Sequence, residues 1–81
     1  MRTIKEIAKE IRQDWGNKTY FGAEPYLQAM EELISIEDNY YHDDASSVIA
    51  YFLANATTYR GEVARKVKKE LNLMLKNYYN S

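Results

Sequence analysis

From Ala45 to Tyr59 the chain runs as ASSVIAYFLANATTY, without one charged side chain. With 81 residues and no cysteine, such a chain buries only about 60% of the surface its unfolded form exposes. It has no disulfide framework and no Cys-based zinc site to help. Core packing, aided at most by self-association, must hold the fold, and this segment can supply its middle. Ala45, Val48, Ile49, Phe52, Leu53 and Ala56 recur at helical spacing, while Ser46, Ser47, Ala50 and Ala54 make the opposite face small enough for a close backbone approach. An element apolar or small all round belongs inside. The spacing therefore predicts a helix over about 44–55, capped by Asp43 or Asp44, at the centre of a bundle. The competing reading makes its small face a dimer seam.

Three further helices are expected around it. In RTIKEIAKEIRQDW, Ile4, Ile7, Ala8, Ile11 and Trp15 form a narrow apolar stripe, Thr3 and Glu6 have capping-box spacing and Gly16 is a stop, which gives a helix over about 3–15. Its charges segregate, with Lys5, Lys9 and Arg12 on one flank and Glu6, Glu10 and Asp14 on the other. Like charges at i,i+4 cost an isolated helix roughly 0.2–0.5 kcal/mol per pair, so neighbours of opposite sign are expected. After a loop containing Gly22, Pro25 suits the start of a helix, and Tyr26, Leu27, Met30, Leu33 and Ile34 share a face, giving a helix over about 24–35. EDNYYHDD has no period and reads as a loop. Thr57 or Thr58 is then expected to cap a helix over about 58–77, with Val63, Ala64, Val67, Leu71, Met74, Leu75 and Tyr78 on one arc. The expectation is a single all-α domain over residues 1–81: a compact bundle of four helices with the third central.

The formal charge of −1 hides an asymmetry. Residues 1–56 carry 5 Lys and Arg against 10 Asp and Glu, whereas residues 57–81 carry 6 against 2. An acidic body with a basic last helix suits nucleic acid, but it also suits two halves that pack on each other. Pairing of the acidic flank of the first helix with the fourth is the preferred explanation. The longest uncharged stretch is too short for a membrane span, and an apolar secretion-signal core is missing from the start. A cytoplasmic protein, monomer or weak homodimer, is expected.

Several constellations are candidates for function. Arg65, Lys69, Asn72 and Lys76 line the outer side of the fourth helix and could contact nucleic acid, although an amphipathic helix gives those positions to water in any case. TTYRG offers Thr57, Thr58 and Arg60 as an anion cradle at a helix N-terminus. Asp38, Asn39, His42, Asp43 and Asp44 could ligate a metal, but their spacing is not that of a calcium loop, and a sole histidine without cysteine argues against zinc. His42 has no catalytic set around it, so no enzyme and no cofactor are expected. Tyr40, Tyr41, Tyr78 and Tyr79, from two copies of NYY, are the candidate protein-binding cluster.

IKEIAKEIRQDW, YFGAEPYLQAM, DNYYHDDASSVIAYFLANA and TTYRGEVARKVKKEL together give the chain its likeness to a known group. It resembles uncharacterised small proteins encoded by phages and conjugative or other mobile elements of Gram-positive bacteria, over nearly its whole length. It departs from their pattern at Tyr41, where they carry glycine, and at Tyr59, where they carry tryptophan. The resemblance implies a mobile-element setting and no particular activity. Small accessory proteins of such elements act by binding a host protein or DNA. The expected function is a protein-binding accessory factor with an unidentified protein partner, and the alternative is a small nucleic-acid-binding factor.

Overall fold

In a computed structural model that describes residues 2–40 and 43–80, the chain is an all-α bundle of four helices. The first, α1 (Ile4–Trp15), begins with the expected capping box. The Thr3 hydroxyl accepts from the Glu6 N–H at 3.1 Å, and the Thr3 N–H donates to the Glu6 carboxylate at 2.9 Å. Ile4, Ile7, Ala8, Ile11 and Trp15 are all buried, and Gly16, at φ 55°, turns the chain out of the helix into a single 3₁₀ turn, Gly16–Lys18.

The second helix, α2 (Glu24–Met30), is shorter than the expected 24–35. Its end is tightened by i→i−3 bonds from the N–H groups of Glu32 and Leu33 to the carbonyls of Ala29 and Met30. The next backbone groups then find other partners. The Asp38 carboxylate accepts from the N–H groups of Ile34 and Ser35, both at 3.0 Å, and the Ile34 carbonyl accepts from the Ile4 N–H at 3.1 Å. With those groups satisfied elsewhere, another helical turn gains no hydrogen bonds. Leu33 stays buried, but Ile34, assigned to the same apolar face by spacing, is 59% exposed.

Where a plain loop was expected, β1 (Asn39–Tyr40) and β2 (Asp43–Asp44) make a two-residue antiparallel bridge, with Asn39 opposite Asp44. Asp44 then caps α3 (Ala45–Ala54), its carboxylate accepting from the Ser47 N–H and the Ser46 hydroxyl, each at 2.8 Å. α3 lies between α2 and α4. Its Ala45, Val48, Ile49 and Phe52 are buried, and the Phe52 ring meets Trp15 of α1 edge-on at 6.3 Å. The small face closes only in part: Ser46 is buried, Ser47 and Ala50 are half-buried and Ala54 is exposed.

The fourth helix, α4 (Glu62–Tyr79), starts later than the expected 58. Neither Thr57 nor Thr58 caps it, and both are exposed; its N-cap is Gly61, with no side-chain cap. The cause is Tyr59, which the helical pattern left unassigned. Its side chain enters the core and stacks on Trp15 at 4.7 Å and 14°. A turn closed by the Tyr59 N–H, which donates to the Ala56 carbonyl at 3.1 Å, delivers that ring inward, and Gly61, at φ 116° and ψ −176°, leads the chain into the helix.

Two predictions follow from this geometry. Phe52→Ala leaves a hole in the packed core and should cost about 3–5 kcal/mol, read by denaturant unfolding. Gly61→Ala meets no atom within 4 Å of the added Cβ, yet that backbone region is essentially confined to glycine and should cost about 1–3 kcal/mol, with α4 retained by far-UV circular dichroism.

Candidate functional site

One residue from each charged flank of α1, Arg12 and Glu10, finds opposite charges on neighbouring elements. Arg12 grips two acids of the α2 region: one guanidinium nitrogen donates to both oxygens of Glu24 at 2.8 Å, and another donates to Glu31 at 2.8 Å. Across the helix, Glu10 pairs with Arg2 at 2.7 Å and with Lys66 of α4 at 3.3 Å, while Arg2 also forks onto Glu70 of α4. The acidic flank therefore does meet the basic helix, as the charge distribution suggested, but through Glu10. Glu6 is occupied by the helix cap.

These contacts thin out the basic run of α4. Lys66 is taken by Glu10. Lys68 turns inward, its Nζ donating to the Tyr59 carbonyl at 2.6 Å and sitting 5.8 Å from the centre of that ring. Burial, followed by the nearby Arg60 charge, lowers its pKa. The Asn72 amide donates to the Lys68 carbonyl at 2.9 Å, which engages one of the few groups suited to a base edge. Arg65, Lys69 and Lys76 point outward, exposed and without an ion-pair partner among the described residues.

Of the four tyrosines expected to cluster, Tyr41 lies outside the described residues and Tyr40 is placed by its backbone in β1. Tyr78 and Tyr79 pair edge-on at 5.6 Å near the end of α4, with Tyr79 63% exposed. His42, among the loop's possible metal ligands, is also outside the described residues. Among those described, no three His, Cys, Asp or Glu side chains gather as a metal site would require.

A different aromatic surface emerges from the turn before α2 and the open side of α3. Tyr20 and Phe21 pack against each other at 4.9 Å, and Tyr26 against Tyr51 at 5.5 Å. Gly22 lies against Tyr20 of the first pair and against Asn55, one helical turn beyond Tyr51 of the second. A Cβ there would lie 2.5 Å from the Tyr20 ring and 3.2 Å from the Asn55 side-chain oxygen, and the Asn55 amide in turn donates to the Tyr51 carbonyl. Phe21 is 81% exposed and Tyr51 52%. Beside Phe21 lies a shallow recess of about 520 Å³ bordered by Arg12, Thr19, Glu24, Pro25 and Gln28. Sequence reasoning passed over this strip, although a signal was there: Tyr51 sits off the apolar arc of its helix, and Tyr20 and Phe21 belong to no periodic stripe.

The residues of the proposed anion cradle part company. Thr58 and Arg60 join Asp14, Trp15, Lys18 and Tyr59 around a recess of about 290 Å³, whereas Thr57 is not in its lining. Tyr59 is only 2% exposed, and its hydroxyl has no hydrogen-bond partner among the described residues. Burial first, and then the nearby Asp14 carboxylate, raises its pKa, so it stays protonated. Asp14 acts on the hydroxyl as a hydrogen-bond acceptor first and through its charge second, although the two stand just outside the distance of a fully formed hydrogen bond. Comparison of the chain with protein-family models, curated proteins and solved structures gives no match.

Carboxylates that pair helices and cap turns set the acid sensitivity of the fold. Glu10 is held below its ordinary pKa by the hydrogen bond from Arg2, Asp38 by the N–H groups of Ser35 and Ile34, and Asp44 by the Ser47 N–H. A folded pKa below the unfolded one stabilises the fold above the unfolded value, and this is lost as pH falls through the folded value. Thermal melts should therefore be level near neutrality with respect to these groups, and should fall once the pH drops below about 4, the ordinary carboxylate range.

Proposed function

We propose that the chain is a non-enzymatic interaction module, a protein-binding accessory factor of a mobile genetic element, whose partner docks on the strip of Tyr20, Phe21, Tyr26 and Tyr51. The observation that carries the reading is the exposure of Phe21, held out on a turn beside a recess instead of in the core. Contiguous exposed apolar surface on a small domain marks interaction sites, and aromatic residues are the side chains most enriched at the centre of interfaces. The strip lies within residues 1–56, which carry 10 acids against 5 bases. Aromatic faces in an acidic field favour a partner segment rich in Arg or Lys, through cation–π contact and long-range attraction. The mobile-element setting rests on the sequence resemblance. A cytoplasmic setting agrees with the lack of cysteine, and among the described residues no helix is long and apolar enough to cross a membrane.

The test is affinity capture from host cells with the wild-type chain and two variants, each checked for fold by circular dichroism. Phe21→Ser with Tyr51→Ser should lose the captured protein, and Arg65→Glu with Lys69→Glu and Lys76→Glu should keep it. Capture that survives the first pair of changes removes the strip from consideration. A self-associating strip would show instead as a wild-type dimer, by analytical ultracentrifugation, that the same pair of changes dissociates.

A second reading is favoured by one observation, the three outward cations of α4 that have no ion-pair partner among the described residues. If they neutralise phosphates, affinity for duplex DNA falls with salt at a log–log slope of about −0.9 per phosphate. Three cations on an acidic body, screened within ~8 Å at physiological salt, should bind no tighter than the ordinary non-specific range of about 10⁻⁴–10⁻⁶ M. A sub-micromolar complex with DNA or RNA, abolished by the triple Glu variant, would put nucleic acid first.

A further inference from the structure

We infer that Gly22 is the positioning residue of the docking strip: having no side chain, it lets the Tyr20 ring lie against the turn, and the seated Tyr20 ring holds Phe21 in the attitude that a partner meets. The inference rests on the docking reading above and adds to it a residue that shapes the surface from behind. Each of the other two glycines has a backbone reason, since Gly16 sits at φ 55° and Gly61 at φ 116°. Gly22 has no such positive φ, so its backbone would accept an ordinary side chain. What excludes one is space. An added Cβ would lie 2.5 Å from one carbon of the Tyr20 ring and 3.1 Å from the next, well inside the separation of about 3.5–4.0 Å at which carbon atoms pack.

The neighbours of Gly22 differ in how far they can give. The turn is fixed by its backbone: the Ala23 N–H donates to the Tyr20 carbonyl at 2.9 Å, the Glu24 N–H donates to the Phe21 carbonyl at 3.3 Å, and Ala23 itself is buried at the N-cap of α2. The Asn55 side chain, whose oxygen would lie 3.2 Å from the added atom, is tied by its amide to the Tyr51 carbonyl at 2.9 Å. The Tyr20 ring is 42% exposed and can swing into water. A methyl group at position 22 therefore moves the ring and leaves the fold. Phe21 then loses its backing, because the Tyr20 ring, at 4.9 Å and 53°, is the aromatic neighbour that its own ring packs on. A ring already held in one rotamer gives up less freedom when a partner arrives, so Gly22 acts on affinity through Tyr20.

The probe is a fluorescein-labelled oligo-arginine peptide, the simplest segment of the chemistry the strip favours, titrated at physiological salt by fluorescence anisotropy. Gly22→Ala should bind it about tenfold more weakly than the wild type and should melt within about 5 °C of it. Tyr20→Ala should weaken binding by a similar factor, and Gly22→Ala added to Tyr20→Ala should weaken it no further, because both changes act through one ring. A purely structural role for Gly22 would not produce that non-additivity. Undiminished binding by Gly22→Ala, a further loss when it is added to Tyr20→Ala, or a melting temperature far below that of the wild type would each overturn the inference. The docking reading fails by a different result. If the wild type does not bind the peptide, or if Phe21→Ser with Tyr51→Ser binds it equally well, the strip falls and Gly22 with it; if that pair of changes loses the peptide while Gly22→Ala binds in full, the strip stands and the role of Gly22 is removed.

Discussion

The stack of Tyr59 on Trp15 is the contact on which the rest of the arrangement turns. Trp15 is the last residue of α1 and Tyr59 belongs to the connection between α3 and α4, so one ring pair fastens the end of the first helix to the beginning of the last. Such a pair adds about 0.5–1.5 kcal/mol beyond the area it buries, and Phe52 extends it from the side. The stack also explains the local oddities around it. The residues before α4 leave the helical path in a turn that carries the ring inward, Gly61 takes up a backbone shape that other residues resist, and Lys68 is drawn back to satisfy the Tyr59 carbonyl. The same packing that secures the ring shuts its hydroxyl off from solvent and leaves Asp14, Lys18 and Arg60 around the adjoining recess.

Electrostatics plays a directing part more than a stabilising one. The ion pairs of Arg2, Arg12 and Lys66 are all partly open to water, and exposed pairs of this kind contribute about 0.2–1 kcal/mol each. Their value lies in orientation. Arg12 fits only one rotation of α2, in which Glu24 and Glu31 face it together, and Glu10 with Arg2 fits only one side of α4. A helix with its two signs on opposite flanks tells its neighbours apart, and rotations that place like charges together are penalised. This same internal use of charge leaves the outer face of α4 with fewer unpaired cations than its sequence promises.

What could be read from the sequence was what depends on period. The stripe of α1, its capping box, the Asp44 cap and the buried arc of α3 all follow from spacing within one element, and they stand where spacing puts them. What could not be read depends on where backbone groups find partners outside their own segment. The last turn of the expected second helix is lost because Asp38 and Ile4 offer its backbone other bonds. The first turn of the expected fourth helix is lost because Tyr59 packs better against Trp15 than it could on a helix surface. The candidate surfaces divide in the same way. The outward cations of α4 are a helical period and were legible. The aromatic strip is built from a turn and two helices, so only the fold brings Tyr20, Tyr26 and Tyr51 into one neighbourhood.

The two flanks of α1 are satisfied at very different times in the life of the chain. Arg12 meets its acids 12 and 19 residues further on, whereas Glu10 waits for Lys66 and Arg2 for Glu70, 56 and 68 residues away. On the ribosome, where a chain emerges in order at about 5–20 residues per second, α1 and α2 can clasp each other while α4 has yet to be made. The opposite side of α1, with its apolar stripe only half covered, stays open for that interval. Completion of the bundle thus waits for α4, the last of the four helices to emerge, and until then the open side of α1 presents its apolar stripe as a hydrophobic edge.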